Sequence, residues 1–554
     1  MPYDDRKFDY VIVGGGSAGC LLANRLSADP KNSVLLLEAG RKDSYPWIHI
    51  PVGYLYCIGN PRTDWMYNTE PELGLNGRIQ RYPRGKTLGG CSSINGMIYM
   101  RGQARDYENW ANVTGDETWN WASALEAFKS HEDHWKLDKG ADPLTSSNSR
   151  FSDMHGHGGE WRIEKQRLSW DVLDSFADAA VEMGIDKVDD FNSGDNAGVG
   201  YFDVNQRSGW RWSSSKAFLR PAQSRHNLTV WTEAQVEKLT FITDDDGAVR
   251  CSGVILQHKG ASLEIAAHRE VILSAGAINS PQILQLSGIG PAELLKSHGI
   301  NLVVDAPVGE NLQDHLQIRA VYKVQGTPTL NTLANSLFGR AKIGVEYILK
   351  RSGPMSMSPS QLGAFTRSDP NRPHANLEYH VQPLSLEAFG EDLHDFPAVT
   401  VSVCNLNPTS RGHVRIGSKN FQDPPKISPN YLTTEDDQKV AADSLRQVRN
   451  IMGQPAMLPY QPEEFKPGLQ YQSDEELAKL AGDIANTIFH PVGTIKMGHD
   501  KDTTAVLDPH LRVKGVVGLR VVDASIMPEI TSGNTNAPTL MIAEKAADWI
   551  LSGS

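Results

Sequence analysis

FDYVIVGGGSAGCLLANRLSADPKNSVLLLEAG, residues 8–40, decides the fold. FDYVIV predicts a short buried strand, the glycines a turn, SAGCLLANRL an amphipathic helix, and VLLLE a second buried strand ending in an acid. Strand, turn, helix and strand make one βαβ unit, so the sheet begins with a parallel pair. Gly14, Gly16 and Gly19 give the G-x-G-x-x-G spacing. The first glycine permits a tight turn, the second lets backbone N–H groups approach a diphosphate, and the third packs helix closely on strand. The helix N-terminus then faces negative charge. Glu38 stands where a carboxylate can accept from both ribose hydroxyls, which disfavours a 2′-phosphate and leaves NAD or FAD. A unit at the head of the chain, with more than 500 residues following, suits a flavoprotein.

The remaining 554-residue composition narrows the class. With 40% hydrophobic and 22% charged residues the chain is globular and too long for one small domain. Net charge is −12 and no block of Lys or Arg occurs, which argues against nucleic acid as a partner. Cys20, Cys57, Cys91, Cys251 and Cys404 lie far apart, giving neither a disulfide framework nor paired spacing for zinc, so no metal is expected and a reducing compartment fits. The first residues lack the apolar run of a signal peptide, and no stretch of about 18 apolar residues predicts a membrane span. The expected location is the cytoplasm. Without secretion, NVT (112–114) and NLT (227–229) are chance matches to a glycosylation pattern.

Three further stretches resist explanation by periodicity. RYPRGKTLGGCSSINGMIYMRGQARDYENW (81–110) sets Arg84 and Lys86 before Gly89-Gly90, then Asn95-Gly96 and a helix-like MIYM run; it reads either as a turn-rich surface loop or as backbone drawn close to something flat or anionic. HREVILSAGAINSPQILQLSGIG (268–290) reads as a strand, a small-residue turn and a helix capped by Ser280 with Pro281 in its first turn. HPVGTIKMG (490–498) sets a histidine against a proline and two glycines, and a lone histidine is more often structural than catalytic.

GKTLGGCSSIN and GAINSPQILQLSGIG together resemble the two long signature patterns of the glucose–methanol–choline oxidoreductases. The resemblance continues through VGENLQDH (308–315), HPVGTIKMG and LRVVDASIMPEITSGNTNAPTLMIAEKAADWI (519–550), end to end, and is nearest to bacterial choline-dehydrogenase-like alcohol dehydrogenases. It implies FAD. The ADP half would be held by Gly14, Gly16, Ser17, Ala18, Gly19, Glu38 and Ala39, with Val236 at adenine, and the isoalloxazine by Gly90, Asn95, Gly96 and Met97. Ala275, Gly276, Asp523 and Ala524 match positions near the ribityl and diphosphate; Asn536, Pro538 and Thr539 match the turn beside the flavin ring. Some members tether FAD through a histidine just before the loop asparagine. Ile94 stands there, so binding is expected to be non-covalent. Cys91 occupies a position where serine, threonine or glycine is commoner.

Alcohol oxidation removes a hydroxyl proton and a hydride from one carbon; the hydride goes to flavin N5 and the proton needs a base, which imidazole supplies near neutral pH. The resemblance makes His490 that base and Asn534, in SGNTNAPT, its partner at the substrate oxygen; by itself Asn534 could equally fill a turn. The expected activity is oxidation of a primary alcohol to the aldehyde, with a quinone or other acceptor taking the electrons. An oxidase forming hydrogen peroxide and a non-redox hydroxynitrile lyase are the alternatives. A quinone acceptor would bring peripheral contact with a membrane.

The expected fold is mixed α/β and α+β: a Rossmann-like FAD-binding domain (1–158, 205–315 and 482–554) interleaved with a substrate domain (159–204 and 316–481) on a mostly antiparallel sheet. ANLEYHVQP (375–383) and PAVTVSVCNL (397–406) read as its strands, with Glu378, His380 and Gln382 on one face that is either cavity or solvent. The Trp/Tyr-rich stretch 45–68 is explained by core packing more readily than by a cation cage. AEKAADWI is expected to close the chain as an amphipathic helix.

Overall fold

The computed structural model describes residues 8–138, 149–387 and 392–554. Phe8–Val13 and Val34–Glu38 are parallel strands, Val11 opposite Leu35, joined by the helix Ser17–Leu26. Their uninterrupted apolar sequence fits a sheet covered on both faces, and every residue of Val34–Glu38 is buried. Leu228–Thr232 extends the parallel array on one side and the end of Ala261–Leu273 on the other, with Leu519–Val521 pairing beyond it. The first half of Ala261–Leu273 instead closes an antiparallel meander with Ala234–Thr243 and Val249–His258. Its exposure changes accordingly, from mixed in the first half to three buried residues at the end.

A second seven-stranded sheet is antiparallel, with Glu463–Lys466, Leu316–Lys323, Ala398–Asn405, Leu377–Gln382, Leu362–Thr366 and Gly198–Tyr201 in spatial order and Asn486–Thr487 also paired with Leu316–Lys323. Arg319, Ser402, His380, Gly363 and Gly200 lie abreast. Alternation therefore puts Leu377, Tyr379 and Val381 on one face, packed in a core with Val440, Leu445 and Val448 of the helix Glu435–Met452. The opposite face is polar yet also buried: Glu378 is 0% exposed, and His380 and Gln382 4%. It looks into a cavity and not into water.

Three expectations need correction. MIYM is extended, not helical: Met97 has φ 64°, Tyr99 N–H donates to Asp203 O (2.9 Å), and the helix waits until Ala104–Thr114. The helix after Leu273 begins at Gly276, so Pro281 lies inside it and Ser280 is no cap. Proline denies Ala277 O its helical donor, and Thr494 Oγ1 replaces it at 2.7 Å. Finally, Asn536–Ser552 is buried on nearly every side through Ala547, not amphipathic. Its charged residues are tolerated because they are paired, Glu544 with Arg25 at 2.6 Å and Lys545 with Ser123 Oγ at 2.7 Å. All five cysteines are free, and among the described residues no helix is long and apolar enough to cross a membrane.

Candidate active site

A cavity lined by both sheets runs from the first glycine turn to the His490 loop. At its near end Gly14 has φ +107°, and a Cβ there would sit 2.4 Å from Ser274 O. Gly16, Ser17, Ala18 and Ala39 line the wall beside it. No side chain caps the helix that starts at Ser17, so its first N–H groups are left for an anion. Gly19 lies outside the cavity: its missing Cβ would meet Gly14 O at 1.9 Å, which is the close helix-to-turn packing expected of the third glycine.

Glu38 is buried, and its carboxylate accepts from Gly15 N–H (2.8 Å) and Gly40 N–H (2.7 Å). Burial pushes its pKa up to about 7 against those two hydrogen bonds and the nearby Lys86. It therefore braces the glycine turn while reaching the cavity. Val236 lines the same end.

The second glycine loop is explained by a crossing. A Cβ on Gly90 would lie 2.7 Å from Gly16 Cα, so the two glycine loops touch backbone to backbone. Asn95, Gly96 and Met97 continue the wall from there. Asn95 Oδ1 accepts from Met97 N–H (3.0 Å) and from Arg211 (2.8 Å), fixing the left-handed turn at Met97. Opposite, Asp523 accepts from Gly276 N–H (2.8 Å), Ser280 Oγ (2.6 Å) and Ser525 N–H (2.8 Å), tying the Ala275-Gly276 turn to Ala524. Burial raises the Asp523 pKa against those bonds.

Asn536 Oδ1 accepts from Ser17 Oγ (2.7 Å), and its Nδ2 is buried without a partner among the described residues. Thr539 lines the cavity one turn on; Pro538 does not and is buried in the helix. An uncapped helix end, two crossing glycine loops and a stranded amide donor fit the elongated, doubly charged FAD. Residues 14–18 would hold its diphosphate, with Gly90, expected at the ring, crossing Gly16 there instead, and 95–97 with Asn536 would hold the ring.

At the far end stands His490. The preceding Phe489 has φ +71°, costly for an aromatic residue, and is held by Thr487 Oγ1 on its N–H (2.7 Å) and Arg84 on its carbonyl (2.6 Å). Asp314 Oδ1 takes the His490 N–H (2.8 Å), while Oδ2 accepts from Tyr82 (2.8 Å), Thr487 (2.6 Å) and Tyr431. Gly493 turns the chain at φ +88°, where a Cβ would meet Asn311 O at 2.6 Å.

The ring nitrogens form a chain of hydrogen bonds. His315 Nε2 faces Leu406 O (3.2 Å), His315 Nδ1 faces His490 Nδ1 (3.1 Å), and His490 Nε2 faces Asn534 Nδ2 (3.1 Å). A carbonyl only accepts, so neutral His315 carries its proton on Nε2 and its Nδ1 is an acceptor. His490 must then be protonated on Nδ1, leaving the Nε2 lone pair on the cavity side with the Asn534 amide beside it. Asn534 Oδ1 stays buried without a partner among the described residues.

Burial, then the charge that His315 and His380 take up on protonation and that of Arg84, hold the His490 pKa well below the usual imidazole range. Burial likewise depresses His315. His490 is thus a neutral base over a wide pH range. The sequence reading assigned no role to Asp314, His315 or Gln317 and left His380 on a face that was either cavity or solvent; the signal available was LQDH running directly into an alternating strand.

A Rossmann-type cradle that opens onto an oriented, neutral histidine has the form of a dinucleotide-dependent oxidoreductase. Models of the GMC oxidoreductase family match residues 8–317 and 408–543. An alcohol dehydrogenase (acceptor) of Pseudomonas putida is 42% identical over 546 residues, covering 98% of this chain and 96% of that one. An oxygen-dependent choline dehydrogenase of Staphylococcus saprophyticus is 40% identical over 554 residues, covering 98% and 95%. The formate oxidase of Aspergillus oryzae RIB40, studied for modification of its FAD, superimposes with a TM-score of 0.90 at 26% identity, covering 100% and 99%. The chain belongs to the GMC oxidoreductases, and these likenesses together with the cradle support FAD as its cofactor.

Proposed function

We propose that the protein oxidises an uncharged primary alcohol to the aldehyde, with His490 as general base, and passes the electrons to a quinone or other acceptor. The observation that carries the reading is the histidine chain, which leaves His490 Nε2 unprotonated beside Asn534. FAD supplies the hydride acceptor when bound. The chain's own residues do the rest: Asn534 orients the hydroxyl, His490 takes its proton, and the closed polar face carrying Gln317, His380 and Gln382 keeps bulk water from the base.

Charge selects against choline. Among the described residues the carboxylates lining the cavity are Glu38 and Asp523, both at the dinucleotide end. Near the base the lining residues are neutral or basic, with Gln317, Gln382, His380 and Arg84. Glu378 lies behind the wall, 3.2 Å from His380. Of the aromatics in 45–68, Tyr54 and Trp65 reach the cavity, and the Trp65 ring already carries Lys86 Nζ at 4.1 Å. Among the described residues, a permanent cation would find no lining carboxylate there.

Anaerobic mixing with a panel of alcohols tests the reading: aliphatic or aromatic primary alcohols should bleach the flavin about tenfold faster than choline or more, because a buried uncompensated cation costs on the order of 1.4 kcal/mol or above. Faster bleaching by choline would reverse the substrate assignment, and no bleaching by any alcohol would favour the lyase. Under air, dye reduction should outpace peroxide formation. We also propose non-covalent FAD, since Ile94 lines the cavity where a tethering side chain would stand; acid precipitation should release all flavin to the supernatant.

A further inference from the structure

The helix Leu337–Lys350 turns hydrocarbon outward. Leu337 is 86% exposed, Phe338 82%, Leu349 76%, Ile348 68% and Val345 55%. At about 100° per residue these side chains fall within an arc roughly 120° wide. Tyr347 lies opposite, buried and donating its hydroxyl to Gly209 O (2.9 Å). An exposed apolar stripe of this length is uncommon on a soluble protein and marks a contact surface.

The stripe's borders are cationic. Lys342 flanks one side and Arg340, which donates to Ala334 O (2.8 Å), the other; Lys350 ends the helix, while Arg351 folds back over the Trp210 ring at 4.3 Å. From 337 to 351 Glu346 is the single acid, and its carboxylate accepts from Ser352 Oγ (3.2 Å). The whole chain carries −12, so the sign reverses locally. We propose that this helix docks the protein on an anionic lipid bilayer, its apolar arc immersed at the acyl boundary and Arg340, Lys342 and Lys350 at the headgroup phosphates. A two-fold contact between copies through the same arc would set these cations against one another, which favours lipid as the occupant.

The docked element adjoins the cavity wall at both ends. Before it, Leu330 N–H donates to Pro383 O (2.8 Å), next to Gln382; after it, Pro359 and Ser360 line the cavity. Docking would hold that wall at the membrane, where lipophilic alcohols and quinones reside. This consequence rests on the function proposed above, but the docking itself does not.

Vesicle flotation of the flavin-loaded protein tests the docking. The wild type should float with phosphatidylglycerol/phosphatidylcholine vesicles about tenfold more than with phosphatidylcholine alone, and high salt should release it. Phe338→Asp with Leu349→Asp should cut flotation at least about tenfold with flavin absorbance and melting temperature unchanged. Lys342→Glu with Lys350→Glu should lower binding to anionic but not to neutral vesicles. Flotation of wild type no greater than that of the Asp variant overturns the proposal. So does light scattering that shows a wild-type dimer split by the same variant, which would make the stripe a subunit interface.

Discussion

Replacing His490 with alanine should leave FAD bound and lower turnover by about 10²–10⁴-fold, the usual span for losing a general base. The two effects separate because the cradle and the base occupy opposite ends of the cavity. His490 is anchored through its backbone N–H on Asp314, and the Tyr82, Thr487 and Tyr431 bonds to the same carboxylate do not need the imidazole. Single-turnover reduction of the flavin by a good alcohol is the measurement; a rate near the wild-type one would remove His490 from the chemistry. The pH profile gives a second check. The base acts as neutral imidazole, and its surroundings hold its pKa well below 6.5. Wild-type kcat/KM should therefore stay level from neutral pH down through 6.5 and fall only at lower pH, and that acid limb should vanish in the alanine variant.

What local pattern could reveal was legible in the sequence; what depended on distant partners was not. The βαβ unit came from strand, glycine spacing and acid within 8–40, because every contact that defines it is nearly local. The purpose of GKTLGG was ambiguous because its glycine answers to Gly16, a crossing that no periodicity encodes. The start of the helix at Gly276 was missed for a similar reason. Proline inside a helix is ordinarily a break, and the hydroxyl that makes this one tolerable comes from Thr494, 217 residues away. The polar side of 377–382 read equally as cavity or solvent, since alternation assigns faces but does not say what covers them. His315 showed only as the end of LQDH before an alternating strand, because it meets its partner across 175 residues.

His315 is the other residue whose loss should be large, although it acts through His490 and not on substrate. In His315→Leu the His490 Nδ1–H loses its acceptor inside a buried site, and only the Asn534 amide then opposes a proton on Nε2, where it would block the base. Turnover should fall by about 10²-fold or more, with kcat carrying most of the loss and KM little of it. Asparagine, whose amide oxygen can accept from Nδ1–H, should recover part of the rate. A purely packing role would predict the reverse order, because leucine fills an apolar volume better than asparagine does. The pH profile discriminates further. His315 repels charge on His490 only once it is itself protonated in acid, and that repulsion is the second-largest cause holding the His490 pKa down, after burial. Its removal should therefore move the acid limb of kcat/KM upward, toward the ordinary imidazole value, in both variants. A leucine variant whose kcat and acid limb both matched the wild type would mean that Leu406 O and His315 do not set the tautomer, and the orientation of the base would have to be sought in Asn534 alone.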